Sequence, residues 1–366
     1  MKMTDGNSVE HLSVAMTTET ATDVTQTSTV SSSSSLGIEF SFQCAVVAVG
    51  VVGTAANALI LYAMVASKQH KKQVLIFHQN VLDFFSCLLL VMTYALKLCN
   101  IPLIGSVGYW LCMLILSEDL LWCITIASKT NLVFLTIERY LKVVYPIWSK
   151  NKLRNWMIYV AMALAWISGF VHHMALTFST SDVIDGVCYA YVLWKSRQSQ
   201  LGYGIFNFIL LFLSILVVFI FCYLRILIAI RRQAKTMANH GASGSNTAQA
   251  LSHLIQTNVI KTMILVSAFY AVCDMPIFVY YLILNVRANL TLLYGGYYAS
   301  LFIFFFYICA NPFIYAIKFD PVKHILQRMI PCSKIFVQPV ESIQVASAPV
   351  VAASSDQKQL RKDLEQ

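Results

Sequence analysis

Long apolar runs separated by short polar connections set the pattern of this chain. Seven runs, over about residues 41–66, 74–98, 111–144, 156–178, 201–230, 261–286 and 292–317, are each long enough to cross a bilayer. A spanning helix needs roughly 20 apolar residues, because lipid offers no partner for a backbone amide and every one must be satisfied within the segment. Strict alternation of apolar and polar residues, the mark of a barrel strand, is not seen. The pattern therefore predicts an all-α membrane protein, a seven-transmembrane helix bundle over residues 41–318. Residues 1–40 are Ser/Thr-rich with few large apolar side chains and are expected to be a disordered tail; they show no basic head and short apolar run of the kind a cleavable signal requires. A short amphipathic eighth helix is expected over 319–332, followed by a second disordered tail over 333–366.

Composition strengthens this reading. Of 366 residues, 58% are hydrophobic and only 12% charged, and mean hydropathy is +0.67. That is more apolar surface than one globular core can bury. The formal net charge of +9 is concentrated in alternate connections: Lys68, Lys71 and Lys72, then Lys150, Lys152 and Arg154, then Arg231, Arg232 and Lys235, and finally Lys323, Arg328 and Lys334. Lys2, Lys195, Arg197 and Arg287 fall on the other side, so the basic face is expected in the cytoplasm, with the N-terminus outside and the C-terminus inside. The charge then fits an anionic membrane leaflet, with no nucleic-acid module in view. The eight His, 17 acids and ten Cys show no metal-ligand spacing, nucleophile motif or phosphate loop, so neither an enzyme nor a structural metal is expected.

Several polar residues interrupt the apolar runs. Asp83, Lys129 and Asp274 fall well inside predicted spans, where a charge is costly unless paired or hydrated. At the end of the third run stands Glu138-Arg139-Tyr140, one side of which can be solvated while the other packs. A proton- or ion-coupled transporter would also need intramembrane charges. No internal repeat of the kind many transporters carry is found, but that reading stays as the alternative, together with a non-signalling decoy receptor.

With Glu138-Arg139-Tyr140 closing the third span and Asn311-Pro312-Phe-Ile-Tyr315 closing the seventh, the chain resembles the rhodopsin-like (class A) G-protein-coupled receptors over about residues 40–332. Asn57, Asp83, Trp166, Tyr223 and Pro276 stand at the family's marks in the first, second, fourth, fifth and sixth spans. The resemblance implies a receptor that binds an extracellular ligand, peptide or small molecule, and promotes nucleotide exchange on a heterotrimeric G protein. Arg139 would release Glu138 on activation, with Tyr223 and Tyr315 holding the open cavity. Arrestin is the implied second partner, with Ser333, Ser342, Ser354 and Ser355 as candidate phosphorylation sites, and membrane lipid surrounds the bundle. Near the inner end of the sixth span Gln256 and Lys261 have no acid beside them to hold Arg139, which predicts raised basal activity.

The same resemblance implies an allosteric sodium pocket of Asn57, Asp83, Ser128 and Asn311, and no other cofactor. It implies a disulfide from Cys188 to the outer start of the third span. Cys112 is the expected partner, but 27 residues separate it from Arg139, more than is usual in the family, and Cys99 stays in contention. Cys332 is a candidate palmitoylation site, and Asn289-Leu-Thr291 is a glycosylation sequon expected to be unoccupied.

Departures from the family are as informative. Asp274 stands where an aromatic is usual, and the family fold would set it beside Lys129, so a buried charge pair is expected. The alternatives are that each charge faces water separately, or that Asp274 joins Asp83 around a cation. Ile215 replaces the usual proline of the fifth span. Leu121 stands where amine receptors carry aspartate, and Phe305 where opsins carry the retinal lysine, which argues against both ligand classes. Glu118 and Asp119, roughly 30 Å above Arg139 by helical rise, join Lys97, Trp122, His172, His173, Lys195 and Arg287 around the expected mouth. Such a rim favours a peptide.

Overall fold

The computed structural model describes residues 27–99, 101–239, 247–286, 294–318 and 325. Among them seven helices are long and apolar enough to cross a membrane. They are α1 (Thr27–Ala66), α2 (Val74–Cys99), α3 (Asp119–Val144), α4 (Asn155–Thr180), α5 (Ser214–Asn239), α6 (Thr247–Val286) and α7 (Tyr294–Lys318). The bundle is apolar outward and polar inward. Val52, Tyr62, Ile167, Val171, Phe221 and Val272 are exposed, while Asn57, Gln79, Asp83, Asn131, Asp274 and Asn311 are buried. Water would make that costly, whereas in lipid the outward apolar faces cost nothing and the polar groups must find one another.

The third span lies at the centre. Some 67% of its apolar window is buried, against 17% for α4, so α3 presents side chains to neighbours on all sides. It is not the continuous helix over 111–144 that the apolar run predicts. A helix over Gly105–Leu111 passes into a π-turn over Cys112–Leu116, and the chain then breaks at Ser117 and Glu118, the latter at φ +64°. Ser117 covers the break by donating from Oγ to the Met113 carbonyl at 2.7 Å. The inserted residues account for the long spacing between Cys112 and Arg139.

That offset places Cys112 against a two-stranded hairpin, β1 (Asp182–Ile184) and β2 (Val187–Tyr189), paired antiparallel. Its turn is Asp185-Gly186, both at positive φ, the two-residue turn whose twist matches paired strands. Cys112 and Cys188 form the disulfide, with Cα atoms 5.5 Å apart, and Cys99 is free and exposed.

Two backbone irregularities carry their own compensation. Pro312, inside α7, cannot donate to the Ile308 carbonyl, which instead faces the Cys87 thiol of α2 at 3.9 Å. Before α5, where proline is missing, a π-turn over Phe208–Leu213 does the equivalent work, and its Leu211 carbonyl accepts from the Tyr270 hydroxyl of α6 at 2.7 Å.

Candidate functional site: a polar core between a charged mouth and a closed arginine end

At the Arg139 end, Glu138 accepts from Lys142 one helical turn on at 2.6 Å, while Arg139 Nε lies 3.8 Å from the same carboxylate. The Arg139 guanidinium donates instead to Gln73 Oε1, just before α2. Tyr140 meets the ring of Phe221 on α5, their centroids 5.8 Å apart. The Tyr223 hydroxyl sits 3.1 Å from Thr136 Oγ1, 2.8 Å from Ser267 Oγ and 3.2 Å from the Met263 carbonyl. One phenol thus ties α3, α5 and α6 together beside Arg139. Asn311 and Pro312 are buried in α7.

One level deeper lies the Asp83 cluster. Its Oδ1 accepts from Ser128 Oγ at 3.0 Å and Gln79 Nε2 at 3.2 Å, and its Oδ2 accepts from Asn311 Nδ2 at 3.0 Å. Asn57 is not among these donors; it bonds the Gly53 carbonyl at 3.0 Å and faces the Cys87 thiol at 3.6 Å. Gly53 is there because any Cβ would come within 2.9 Å of Cys309 and Cys87.

Sequence reading passed over Gln79, Asn131 and His78, which extend this cluster to α4. The Trp166 indole can only donate, so His78 Nε2, 3.0 Å away, must accept. His78 therefore carries its proton on Nδ1 and donates to Asn131 Oδ1 at 2.9 Å. Asn131 Nδ2 then donates to Gln79 Oε1 at 2.8 Å, and Gln79 to Asp83 and Ser128. Asn131 also donates to the Leu75 carbonyl at 3.2 Å, and the series ends on the Asp83 carboxylate. The available signal was a run of polar residues, His78-Gln79-Asn80, inside an apolar span.

Lys129, next to Ser128, faces the other way. Its Nζ lies 2.6 Å from Asp274 Oδ2, and the two residues are 3% and 0% exposed. The rings of Phe304, Phe278 and Tyr270 surround the ammonium, with centroids 4.9, 5.1 and 5.5 Å from it. Asp274 Oδ1 takes no hydrogen bond from the described residues. Asp274 lies two residues before Pro276, which is inside the continuous helix α6.

At the opposite end from Arg139, Glu118 accepts from Lys97 at 2.5 Å and Tyr94 at 2.8 Å. Its left-handed backbone turns it towards α2, away from Asp119. Asp119 Oδ1 accepts from Thr177 at 2.6 Å and His173 at 2.9 Å, both on α4. Trp122 stacks between Phe304 and His173, and Leu121 and Phe305 are buried. His172 faces Asn207 Oδ1 at 2.6 Å. Tyr191, in the loop after β2, covers Thr177 at 3.2 Å, and burial pushes its phenol above the ordinary tyrosine range, so it stays a donor. Arg287, Asn289, Cys332, the expected eighth helix except residue 325, residues 1–26, the C-terminal tail with its serines, and the side chains of Gln256 and Tyr315 lie outside the described residues, whereas residues 27–40, expected in the disordered tail, are helical as the start of α1.

A seven-helix membrane bundle with a polar core, a disulfide at one end and a half-buried arginine at the other defines a membrane receptor. Residues 56–315 match the family model described as 7 transmembrane receptor (rhodopsin family), and the chain belongs to that family. It is 24% identical to the somatostatin receptor type 5 of Bos taurus over 76% of this chain and 73% of that one. It is 22% identical to the rat (Rattus norvegicus) somatostatin receptor type 5 over 76% and 74%. Melanopsin-B of Gadus morhua is 25% identical over 83% of this chain and 50% of its own length.

Proposed function

We propose that this receptor sits in the plasma membrane with its N-terminus outside, binds an extracellular peptide between its helices, and opens the Arg139 end to promote nucleotide exchange on a heterotrimeric G protein. The observation that carries the reading is the Tyr223 hydroxyl bridging α3, α5 and α6 beside Arg139, whose side chain is 11% exposed. In this arrangement Tyr223 closes the surface a G protein would need, the reverse of the open-state role that the resemblance implies for it, so activation begins by breaking these bonds. Basic residues at Lys142, Lys150 and Lys152 support placing this end in the cytoplasm.

The Lys129 and Asp274 pair is the second lock. It joins α3 to α6 at mid-bilayer, near Trp122 and Phe304 of the pocket, so a ligand that shifts those rings biases the pair. A ligand moves such an equilibrium only by its differential affinity for the two states. For the ligand class, a rim carrying Lys97, Glu118, Asp119, His172 and Trp122 suits a peptide with charged and aromatic groups, and likeness to receptors named for somatostatin supports the same choice. The Asp83 cluster, with hard oxygen ligands, suits a sodium ion as an allosteric partner. Arrestin recruitment through the tail serines completes the reading.

The experiment is basal and tissue-extract-stimulated nucleotide exchange across a panel of G-protein subtypes, with wild type and Arg139→Ala at matched surface levels. Signal in the wild type that disappears in the variant supports the reading. Silence in both, with good surface expression, favours a decoy receptor or an ion-coupled transporter, which a flux assay separates.

A further inference from the structure

Three metal-ligating side chains meet near the mouth, two of them, Asp119 and His173, expected from the sequence only as part of the ligand rim. Asp119, Cys123 and His173 are all buried, and each offers one ligand atom within 4.8 Å of the others. Asp119 and Cys123 are four residues apart on α3 and so share a face. His173 comes from α4, and a glycine decides its position. A Cβ on Gly169 would lie 2.1 Å from the Cys123 carbonyl, so the two helices touch backbone to side-chain-free backbone at that level. One turn further towards the mouth, that close approach brings His173 against Asp119.

The carboxylate lacks a full counter-charge. Asp119 is 0% exposed, and among the described residues its one ion-pair partner is His173, at 2.9 Å. Its Oδ2 is buried and has no hydrogen-bond partner there. Glu118, next to it, has a lysine; Asp274, deeper in the bundle, has a lysine. A buried carboxylate oxygen with nothing to accept from, beside a free thiol and an imidazole, is a place for a cation.

We propose that Asp119, Cys123 and His173 form a site for a divalent transition-metal ion, with zinc the best match, set between α3 and α4 beneath the disulfide-tied hairpin. One oxygen, one sulfur and one nitrogen are the donor types zinc takes, and three protein ligands leave a fourth position for water or ligand. Calcium and magnesium want oxygen alone. Edges of a tetrahedral zinc site are about 3.4 Å, given bonds of roughly 2.0–2.3 Å, so the cluster tightens by about an ångström on binding. Coordination sends the Cys123 thiol proton to solvent and moves the His173 proton from Nδ1 to Nε2. Thr177 stays on Asp119 Oδ1 and orients it, and Tyr191 covers Thr177. The metal would fasten α3 to α4 beside Trp122, so it would act as a modulator of the ligand pocket.

The test uses the purified full-length receptor without a histidine tag. Zinc chloride is titrated by calorimetry and by the unfolding temperature, and cobalt(II) serves as the spectroscopic probe. The expected result is one equivalent bound, a rise of a few degrees in unfolding temperature, and sulfur-to-cobalt charge-transfer bands. Cys123→Ser, nearly isosteric, should abolish the bands and weaken zinc by at least about tenfold, while Cys99→Ser outside the cluster leaves both unchanged. Absence of the bands in the wild type overturns the proposal whether or not any variant folds. Bands that survive Cys123→Ser overturn it as well. The readout is metal binding, so it fails or succeeds independently of G-protein coupling.

Discussion

Two buried aspartates, Asp83 and Asp274, are reached from consecutive residues of α3, and the helix treats them in opposite ways. Ser128 helps to satisfy Asp83 together with Gln79 and Asn311, all neutral donors. Lys129 is the one charge that faces Asp274, with the Tyr270 hydroxyl beside the carboxylate and aromatic rings around the ammonium. Distributed satisfaction tolerates the loss of a member, because the rest continue to solvate the charge. A single ion pair does not, because either partner left alone is an uncompensated charge in a dry interior. The first arrangement holds α2, α3 and α7 together redundantly; the second makes the direct α3 to α6 charge contact depend on one ion pair. That is a sensible division if α6 is the helix that moves.

The largest effect should come from cutting the single bond. Lys129→Met is expected to destabilise the receptor by about 3–5 kcal/mol, seen as a fall in surface expression and in unfolding temperature in detergent. The double variant Lys129→Met/Asp274→Leu should recover most of that loss, because no charge is left behind. A double variant as unstable as the single would break the comparison. Next, Gly169→Ala should cost about 1–3 kcal/mol by overpacking against the Cys123 carbonyl, measured the same way, and should displace His173 from Asp119. Ser128→Ala should cost about 1 kcal/mol, since Gln79 and Asn311 still donate to Asp83; a loss as large as that of Lys129→Met would show that the neutral donors are not redundant. The smallest stability change is expected from Tyr223→Phe, about 0.5–1.5 kcal/mol, but basal nucleotide exchange should rise because the α3, α5 and α6 bridge is gone.

Much of the fold was legible because lipid imposes a one-dimensional rule: seven apolar runs gave seven helices, although α1 and α6 start at Thr27 and Thr247, well before the apolar runs that predict them near 41 and 261. The disulfide was implied by the family resemblance, which left Cys112 and Cys99 both open as the partner of Cys188; the structure pairs Cys112. What stayed hidden depends on contacts between segments. A π-turn leaves no mark in the hydrophobic pattern, so the break at Ser117 and Glu118 was read as continuous helix, and only the long spacing from Cys112 to Arg139 hinted at it. The hairpin over 182–189 was missed although Asp185-Gly186 is a strong turn signal, because its strands have three residues each. In the candidate site, Asp83 and Asn311 could be placed from the family resemblance, and so could Lys129 and Asp274. Gln79, Asn131 and His78 could not, because their hydrogen-bond partners lie on other helices. For the same reason the ligand-capable cluster of Asp119, Cys123 and His173 was absent from a reading that looked for metal spacing along the chain. His173 was placed only at the rim.

The measurement that tests the central claim most directly is a double-mutant cycle on Lys129 and Asp274, read as basal nucleotide exchange at matched surface levels. If the pair holds α6 in its closed position, Lys129→Met and Asp274→Asn each raise basal exchange, and the double variant raises it no further than the larger single effect. Basal exchange unchanged in both single variants, or two increases that simply add, would contradict the account and leave the two charges as independent residents of the polar core.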